Sequence, residues 1–352
     1  MIYRDDRRPT TDDRRLSSAV RRQSETHRMD LLVTGGAGYI GSATAAELIA
    51  AGHAVTVFDN LSRGHRTAIP SGARFVHGDV ADRTALAEVF ALQKFDAVLH
   101  FAALIEAGES MQDPGVFFRH NVAYSNNVLE AAARAGCLQF VLSSTAAIFA
   151  TSAEPLREDS PIAPANVYGE TKLMIEAMLK WYGNIHGLRY ACLRYFNAAG
   201  AQRDRGEAHQ PESHLIPRVL RVALGQADSA SIFGADYDTP DGTCIRDYIH
   251  IADLAQAHVL AVEALKDRSP LIYNLGSGSG YSVREVIEAA RAVTGHPIPV
   301  VEQPRRPGDA PRLVASPEKI RRELGWTPRH ADLKDIVASA WEWHKRHPNG
   351  YL

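Results

Sequence analysis

From Asp30 onward, short apolar runs of strand length alternate with longer stretches of helical periodicity, and this alternation constrains the fold more than any other feature of the chain. Leu31-Leu32-Val33, Ala54-Val55-Thr56-Val57-Phe58, Arg74-Phe75-Val76, Ala97-Val98-Leu99-His100-Phe101, Phe140-Val141-Leu142 and Tyr190-Ala191-Cys192-Leu193 read as strands. Helical patterns fill the gaps at 39–51, 83–92, 116–135 and 167–185. Strands apolar on both faces need cover on both, which a parallel sheet with crossover helices supplies. The predicted fold is α/β: a doubly wound, Rossmann-like parallel sheet with a smaller mixed α/β domain.

After Asn197 the rhythm breaks. A Gly-, Pro- and charge-rich region at 198–211 precedes strands at Ser231-Ile232-Phe233 and Leu271-Ile272-Tyr273-Asn274-Leu275. Helices are predicted near 215–224, 252–265, 283–292, 317–324 and 333–344. The expected division is a dinucleotide-binding domain over 29–198, with return segments at about 244–278, and a substrate domain over 199–243 and 279–352. Residues 1–28 differ in kind, with repeated Arg and Asp and few large apolar side chains. They read as a disordered extension, or as a start assigned ahead of Met29. Asp5, Asp6, Asp12 and Asp13 argue against a mitochondrial presequence.

The 352 residues are enough for about two domains. A net charge of −2 speaks against a nucleic-acid partner, and no apolar window reaches the length of a membrane span. Cys137, Cys192 and Cys244 are scattered and lack metal-ligand spacing, which suits a reducing cytoplasm. His344 and His347 stand three apart at a helix end, a weak pattern, and no metal is expected.

Thr34-Gly35-Gly36-Ala37-Gly38-Tyr39-Ile40-Gly41 follows the first strand and opens the first helix. Glycines there allow a tight turn, close approach of backbone to a pyrophosphate, and a helix N-terminus facing its charge. Asp59 ends the second strand 18 residues after Gly41, near the spacing of about 20 at which a carboxylate meets the ribose hydroxyls. That carboxylate repels a 2′-phosphate, so NAD is expected over NADP, with Arg63 the one nearby cation pointing the other way. Asp79-Val80 after the third strand can meet adenine, and Phe101-Ala102-Ala103 after the fourth places small residues against the cofactor. Tyr168 and Lys172, four apart at the start of a helical pattern, put phenol and ammonium on one face. A tyrosine acting as base at neutral pH needs about 3 pKa units of help, part of which a cation can give.

With these motifs stand Gly108-Glu109-Ser110, Ser143-Ser144-Thr145, Leu193-Arg194-Tyr195-Phe196-Asn197, Arg246-Asp247-Tyr248-Ile249-His250 and Tyr273-Asn274-Leu275-Gly276. Together they resemble the extended short-chain dehydrogenase/reductase superfamily and, within it, the UDP-galactose 4-epimerases, from Asp30 to Leu352. The resemblance implies a redox cycle on tightly held NAD, with Tyr168 as base, Lys172 holding the nicotinamide ribose, and Thr145 hydrogen-bonded to the sugar 4-oxygen. It implies cofactor contacts from Gly35, Gly38, Tyr39, Ile40, Gly41, Asp59, Asn60, Asp79, Val80, Phe101, Ala102, Ala103, Asn121, Ser143 and Tyr195. For a UDP-sugar it implies Asn197, Arg246 and Arg306 at the diphosphate, Ser231 and Phe233 at the uridine, Asp309 at the ribose, and His214-Leu215 where many relatives have Asn-Leu. It also implies a homodimer through the helices at 116–135 and 167–185, with Ala132, Met174, Met178 and Trp181 either in that contact or packed inward.

Sister dehydratases carry acids directly after the Thr, whereas Ala146 and Ala147 stand here, which disfavours elimination. Ile105 stands where some relatives have Lys, Phe149-Ala150 replace the usual Tyr-Gly, and Leu313 falls at the position that gates an N-acetyl group at sugar C2. Pentose, uronic-acid and N-acetylated UDP-sugars stay open as substrates on the sequence.

Overall fold

The computed structural model describes residues 28–306 and 309–351, so the extension expected at 1–28 lies, but for Arg28, outside the described residues. The first half runs β1 (Asp30–Thr34), α1 (Tyr39–Ala50), β2 (Ala54–Asp59), β3 (Arg74–His77), α2 (Arg83–Leu92), β4 (Ala97–His100), α3 (Ala107–Ser110), α4 (Pro114–Phe117), α5 (Tyr124–Arg134), β5 (Gln139–Thr145), α6 (Val167–His186) and β6 (Arg189–Tyr195). The second runs β7 (Asn197–Ala199), α7 (Leu215–Ala223), β8 (Ala230–Phe233), β9 (Ile245–His250), α8 (Ile251–Ala264), β10 (Leu271–Leu275), β11 (Gly280–Ser282), α9 (Val283–Thr294), β12 (Val300–Gln303), β13 (Arg312–Leu313), α10 (Glu318–Leu324) and α11 (Leu333–Arg346).

Seven strands form one wholly parallel sheet in the order β10-β6-β5-β4-β1-β2-β3. Alternate residues of each strand feed two cores, as the period of two demands. Leu31, Val33, Leu99, Val141 and Leu193 pack with α1 and α8 on one face. Leu32, Val98, Phe140, Leu142 and Cys192 pack with α5 and α6 on the other. Strand order reverses between β1 and β4, so a crevice opens at their C-terminal ends. Of the expected return segments, β10 joins this sheet and α8 covers it, whereas β9 centres a separate sheet with β7, β11 and β13. A further parallel pair, β8 with β12, lies in the second half.

One predicted helix is corrected. The stretch 116–135 is not a single α-helix: α4 passes through a six-residue π-helical segment, Phe118–Ala123, before α5 begins. The wider turn carries Asn121 fully inward, where its Oδ1 accepts from the Leu104 amide at 2.8 Å and its Nδ2 donates to Leu104 O at 2.9 Å and Thr171 Oγ1 at 3.0 Å. Such segments arise where a side chain must be re-aimed.

A buried ion pair ties α6 to the sheet. Arg194 on β6 donates from Nε and Nη2 to the two oxygens of Glu176 at 3.0 and 2.7 Å, and Ser144 on β5 donates to Glu176 at 2.6 Å. Of the residues considered for a subunit contact, Ala132 is buried and Met178 packs into the core under α6. Met174 and Trp181 are exposed, and Ile185 extends their stripe. No helix of the described residues is long and apolar enough to cross a membrane.

Candidate active site

The crevice is built first by glycine. Gly35 has φ +73°, and a Cβ there would stand 2.5 Å from the Ala102 nitrogen; one on Gly41 would stand 2.2 Å from Gly35 O. Both neighbours are backbone, so neither position tolerates a side chain. Gly38 caps α1 without a side-chain partner, leaving the helix N-terminus facing the crevice beside Tyr39 and Ile40. The Tyr39 hydroxyl donates to Gly200 O at 2.6 Å, binding the glycine loop to the chain beyond β7.

Asp59 ends β2 with each oxygen accepting one amide, Ala37 N at 2.9 Å and Leu61 N at 2.8 Å. Burial raises its pKa and these amides partly offset that, and each oxygen keeps a lone pair for a hydroxyl donor. Asn60 Nδ2 donates to Asp79 at 2.8 Å. Asp79 is a turn residue and does not cap α2, a task that falls to Asp82. Asn60, Asp79, Val80, Phe101, Ala102 and Ala103 all line the crevice. Arg63 is occupied: it donates to Gln210 O at 2.7 Å and stands 3.7 Å from Glu106 and 3.9 Å from Glu109. Its charge is thus drawn to two carboxylates. A cradle closed to any Cβ, a helix N-terminus and a ribose-spaced carboxylate fit a dinucleotide.

Tyr168 and Lys172 enter from α6, whose N-cap Asn166 accepts from Gly169 N at 2.9 Å. Tyr168, Thr145, Ser143 and Tyr195 line the crevice. Lys172 lies just beneath it, 1% exposed, with Nζ donating to Ser143 O at 2.8 Å and lying 6.0 Å from the Tyr168 ring centre. Burial pushes the Lys172 ammonium down to about 7. Burial also pushes the Tyr168 phenol up to about 12, against the pull of the Thr145 hydroxyl beside it and with the push of Glu106. Ser143 and Tyr195 share a hydrogen bond between hydroxyls. Thr145 Oγ1 accepts from Ala147 N at 3.1 Å, within a turn that offers no acid at 146 or 147.

The expected substrate residues fall into two groups. Asn197 and His214 line the crevice itself. A second group gathers beyond it: Arg246 lies 3.6 Å and Arg306 3.2 Å from the Asp309 carboxylate, and the Arg306 guanidinium stacks 4.4 Å from the Phe233 ring centre. Ser231 lies on the same strand as Phe233. Leu215 opens α7 and packs against the core of the second half, away from the crevice lining. Leu313 packs with Ala146, Ile148, Phe149 and Phe196, next to the Thr145 turn. Sequence reasoning missed Glu106, His120, Tyr124, Phe196, Glu207 and His209, which also line the crevice. A signal existed for two of them in the spacing Glu207-x-His209-x-x-Glu212-x-His214.

A Rossmann-like sheet with a glycine cradle at its switch point and a Tyr-Lys pair beside it defines a dinucleotide-dependent enzyme. Residues 31–276 match the NAD dependent epimerase/dehydratase family, and the chain belongs to it. The UDP-glucose 4-epimerase of Halalkalibacterium halodurans is 50% identical over 327 residues, 92% of this chain and 98% of that one. That of Streptomyces lividans is 49% identical over 322 residues, 91% and 97% of the two chains. Among solved structures, the UDP-glucose 4-epimerase from Brucella ovis in complex with NAD superposes with a TM-score of 0.86 at 45% identity, covering 89% of this chain and 98% of that one. The enzyme from Bifidobacterium longum in complex with NAD+ and UDP gives 0.87 at 36% identity, covering 92% and 100%.

Proposed function

We infer that this chain interconverts UDP-galactose and UDP-glucose by NAD-dependent epimerisation at sugar C4. The observation that carries the reading is the meeting of Tyr168, Thr145 and Lys172 at the crevice with alanine at 146 and 147. In a family that contains both epimerases and dehydratases, alanine at 146 and 147 leaves the turn after Thr145 without the acid that an elimination would use there.

Tyr168 takes the proton of the 4-hydroxyl and later returns it. Thr145 donates to the same oxygen and keeps it beside the phenol. Lys172, anchored on Ser143 O, supplies positive charge under the site and holds the cofactor ribose. NAD, when bound, accepts the C4 hydride and gives it back, so none is consumed. Gly35, Gly38, Gly41, Asp59 and Asp79 hold the cofactor; Asn197, Phe233, Arg246, Arg306 and Asp309 hold the uridine diphosphate, where paired guanidinium groups suit phosphate oxygens. Phe233, Arg306 and Asp309 come from the proposed substrate domain, 199–243 and 279–352, of which the stretch with Ile320 and Trp326 packs back into the core of the main sheet.

The test is incubation of the purified protein with UDP-galactose and no added cofactor, with the sugar nucleotides resolved by chromatography. UDP-glucose is the expected product, from NAD that co-purifies. Absence of conversion even with NAD added overturns the assignment.

The same reading makes the chain a cytoplasmic homodimer. Cys137, Cys192 and Cys244 are buried and free, as a reducing compartment permits. Met174, Trp181 and Ile185 form an exposed apolar stripe at helical spacing on α6, at 39%, 63% and 68% exposure. Trp181→Glu is expected to shift the protein to a monomer in size-exclusion chromatography with light scattering. A dimer unaffected by that charge would place the contact elsewhere.

A further inference from the structure

Between β7 and α7 the segment Glu207-Ala208-His209-Gln210-Pro211-Glu212-Ser213-His214 folds so that four ligand-type side chains converge, one donor atom from each lying within 4.8 Å of all the others. Glu207 Oε1 is 2.8 Å from His214 Nδ1 and 3.3 Å from His209 Nδ1. Glu212 is 2.9 Å from His214 Nδ1 through Oε1 and 4.0 Å from His209 Nδ1 through Oε2. Tetrahedral donors bound at about 2.1 Å stand about 3.4 Å apart, and Glu207 Oε1 stands close to that distance from both imidazoles, at 3.3 and 2.8 Å.

The carboxylates are withdrawn from water, with side chains 6% and 2% exposed. Two adjacent buried carboxylates require compensating charge. Among the described residues their ion pairs run only to the two histidines. Those contacts leave the hydrogen bonding incomplete. His209 Nδ1 is buried, and its 3.3 Å contact with Glu207 lacks the alignment of a hydrogen bond. His214 Nδ1, which carries at most one hydrogen, faces an oxygen of each carboxylate. A cation at the common point would satisfy all four groups. A second pocket, bordered by Arg221, His344 and Gly350, reaches Glu207 and His209 and provides a path in.

We propose that Glu207, His209, Glu212 and His214 form a binding site for a divalent transition cation of the zinc type. Two imidazoles and two carboxylates make a neutral complex with a dication, and a mixed N/O set favours zinc and its neighbours over magnesium or calcium. The cation positions this segment and takes no part in the chemistry. It fixes Glu207, His209 and His214 at the crevice, with the His209 ring 6.3 Å from that of Tyr39 in the glycine loop. The proposal is independent of the sugar assigned above.

The experiment uses untagged, NAD-loaded protein dialysed against chelator and then titrated with Co²⁺, followed by ligand-field absorption in the visible, with Zn²⁺ as competitor. Expected is saturation at a single equivalent per chain, displacement by Zn²⁺, and a rise in thermal midpoint on loading. His209→Asn and Glu212→Gln, each checked for bound NAD as evidence of folding, should weaken Co²⁺ binding by about 100-fold or more, since even outer-shell changes cost 10–100-fold. Co²⁺ binding without ligand-field absorption, or binding equally strong in a folded variant, overturns the proposal and leaves protonated histidines alone to neutralise the carboxylates. If His209→Asn loses NAD, the wild-type titration and Glu212→Gln decide.

Discussion

Tyr168→Phe is expected to lower turnover of UDP-galactose by about 10²–10⁴-fold, the usual contribution of a positioned proton-transfer group, while NAD stays bound and KM changes little. The ring keeps its place on α6 and only the hydroxyl is lost. The electrostatics make that hydroxyl hard to replace. Burial pushes the phenol up to about 12 and the neighbouring Lys172 ammonium down to about 7, so the phenol is not held as an anion by the protein alone and only part of the Lys172 charge is present at neutral pH to help it. Positive charge close to the phenol is what favours its anion. In the proposed mechanism, proton removal by Tyr168 is therefore coupled to occupation of the crevice by an oxidised, positively charged nicotinamide. Turnover unchanged in Tyr168→Phe would remove the tyrosine from the reaction.

Glu176→Ala is expected to destabilise the fold by about 3–5 kcal/mol, the cost of leaving a buried charge without its partner, and to lower the thermal midpoint by roughly 10 °C. Arg194 and Glu176 are 5% and 9% exposed and share two hydrogen bonds, with Ser144 adding a third to the carboxylate. Removal of the carboxylate strands the guanidinium between β6 and α6. Glu176→Leu combined with Arg194→Met removes both charges and should recover most of the loss. Glu176 sits one turn beyond Lys172, and Ser144 adjoins Thr145, so the pair also holds α6, with Tyr168 and Lys172, against the strand carrying Thr145. The single substitution should therefore cost activity before it unfolds the protein. A melting midpoint equal to wild type would show that the pair is not structurally required.

The main sheet was readable from the sequence because its signals are local. Strand-length apolar runs, glycines at 35, 38 and 41 and an aspartate at 59 act within a few residues of themselves, and they fall where expected, on the strands, at the turn from β1 into α1, and at the end of β2. Tyr168 and Lys172 share a face because four residues make one helical turn. What the sequence hid depends on distant partners. Ile245–His250 becomes a strand by pairing with β7, β11 and β13 from both sides in the chain. The π-helical turn exists because Asn121 is drawn to Leu104 and Thr171, 17 and 50 residues away. Lys172 sits below the crevice wall, since Ser143 O captures its ammonium. Arg63, ambiguous in the sequence, is settled by two glutamates that follow β4.

In the proposed cycle, hydride leaves C4 and returns to C4 on a cofactor that is not consumed. UDP-galactose carrying deuterium at C4, turned over with no added NAD, tests it most directly by mass spectrometry of the product. UDP-glucose that keeps the deuterium at C4 is the expected product. Product with hydrogen in its place would show exchange of that position with solvent and would contradict a transient hydride transfer.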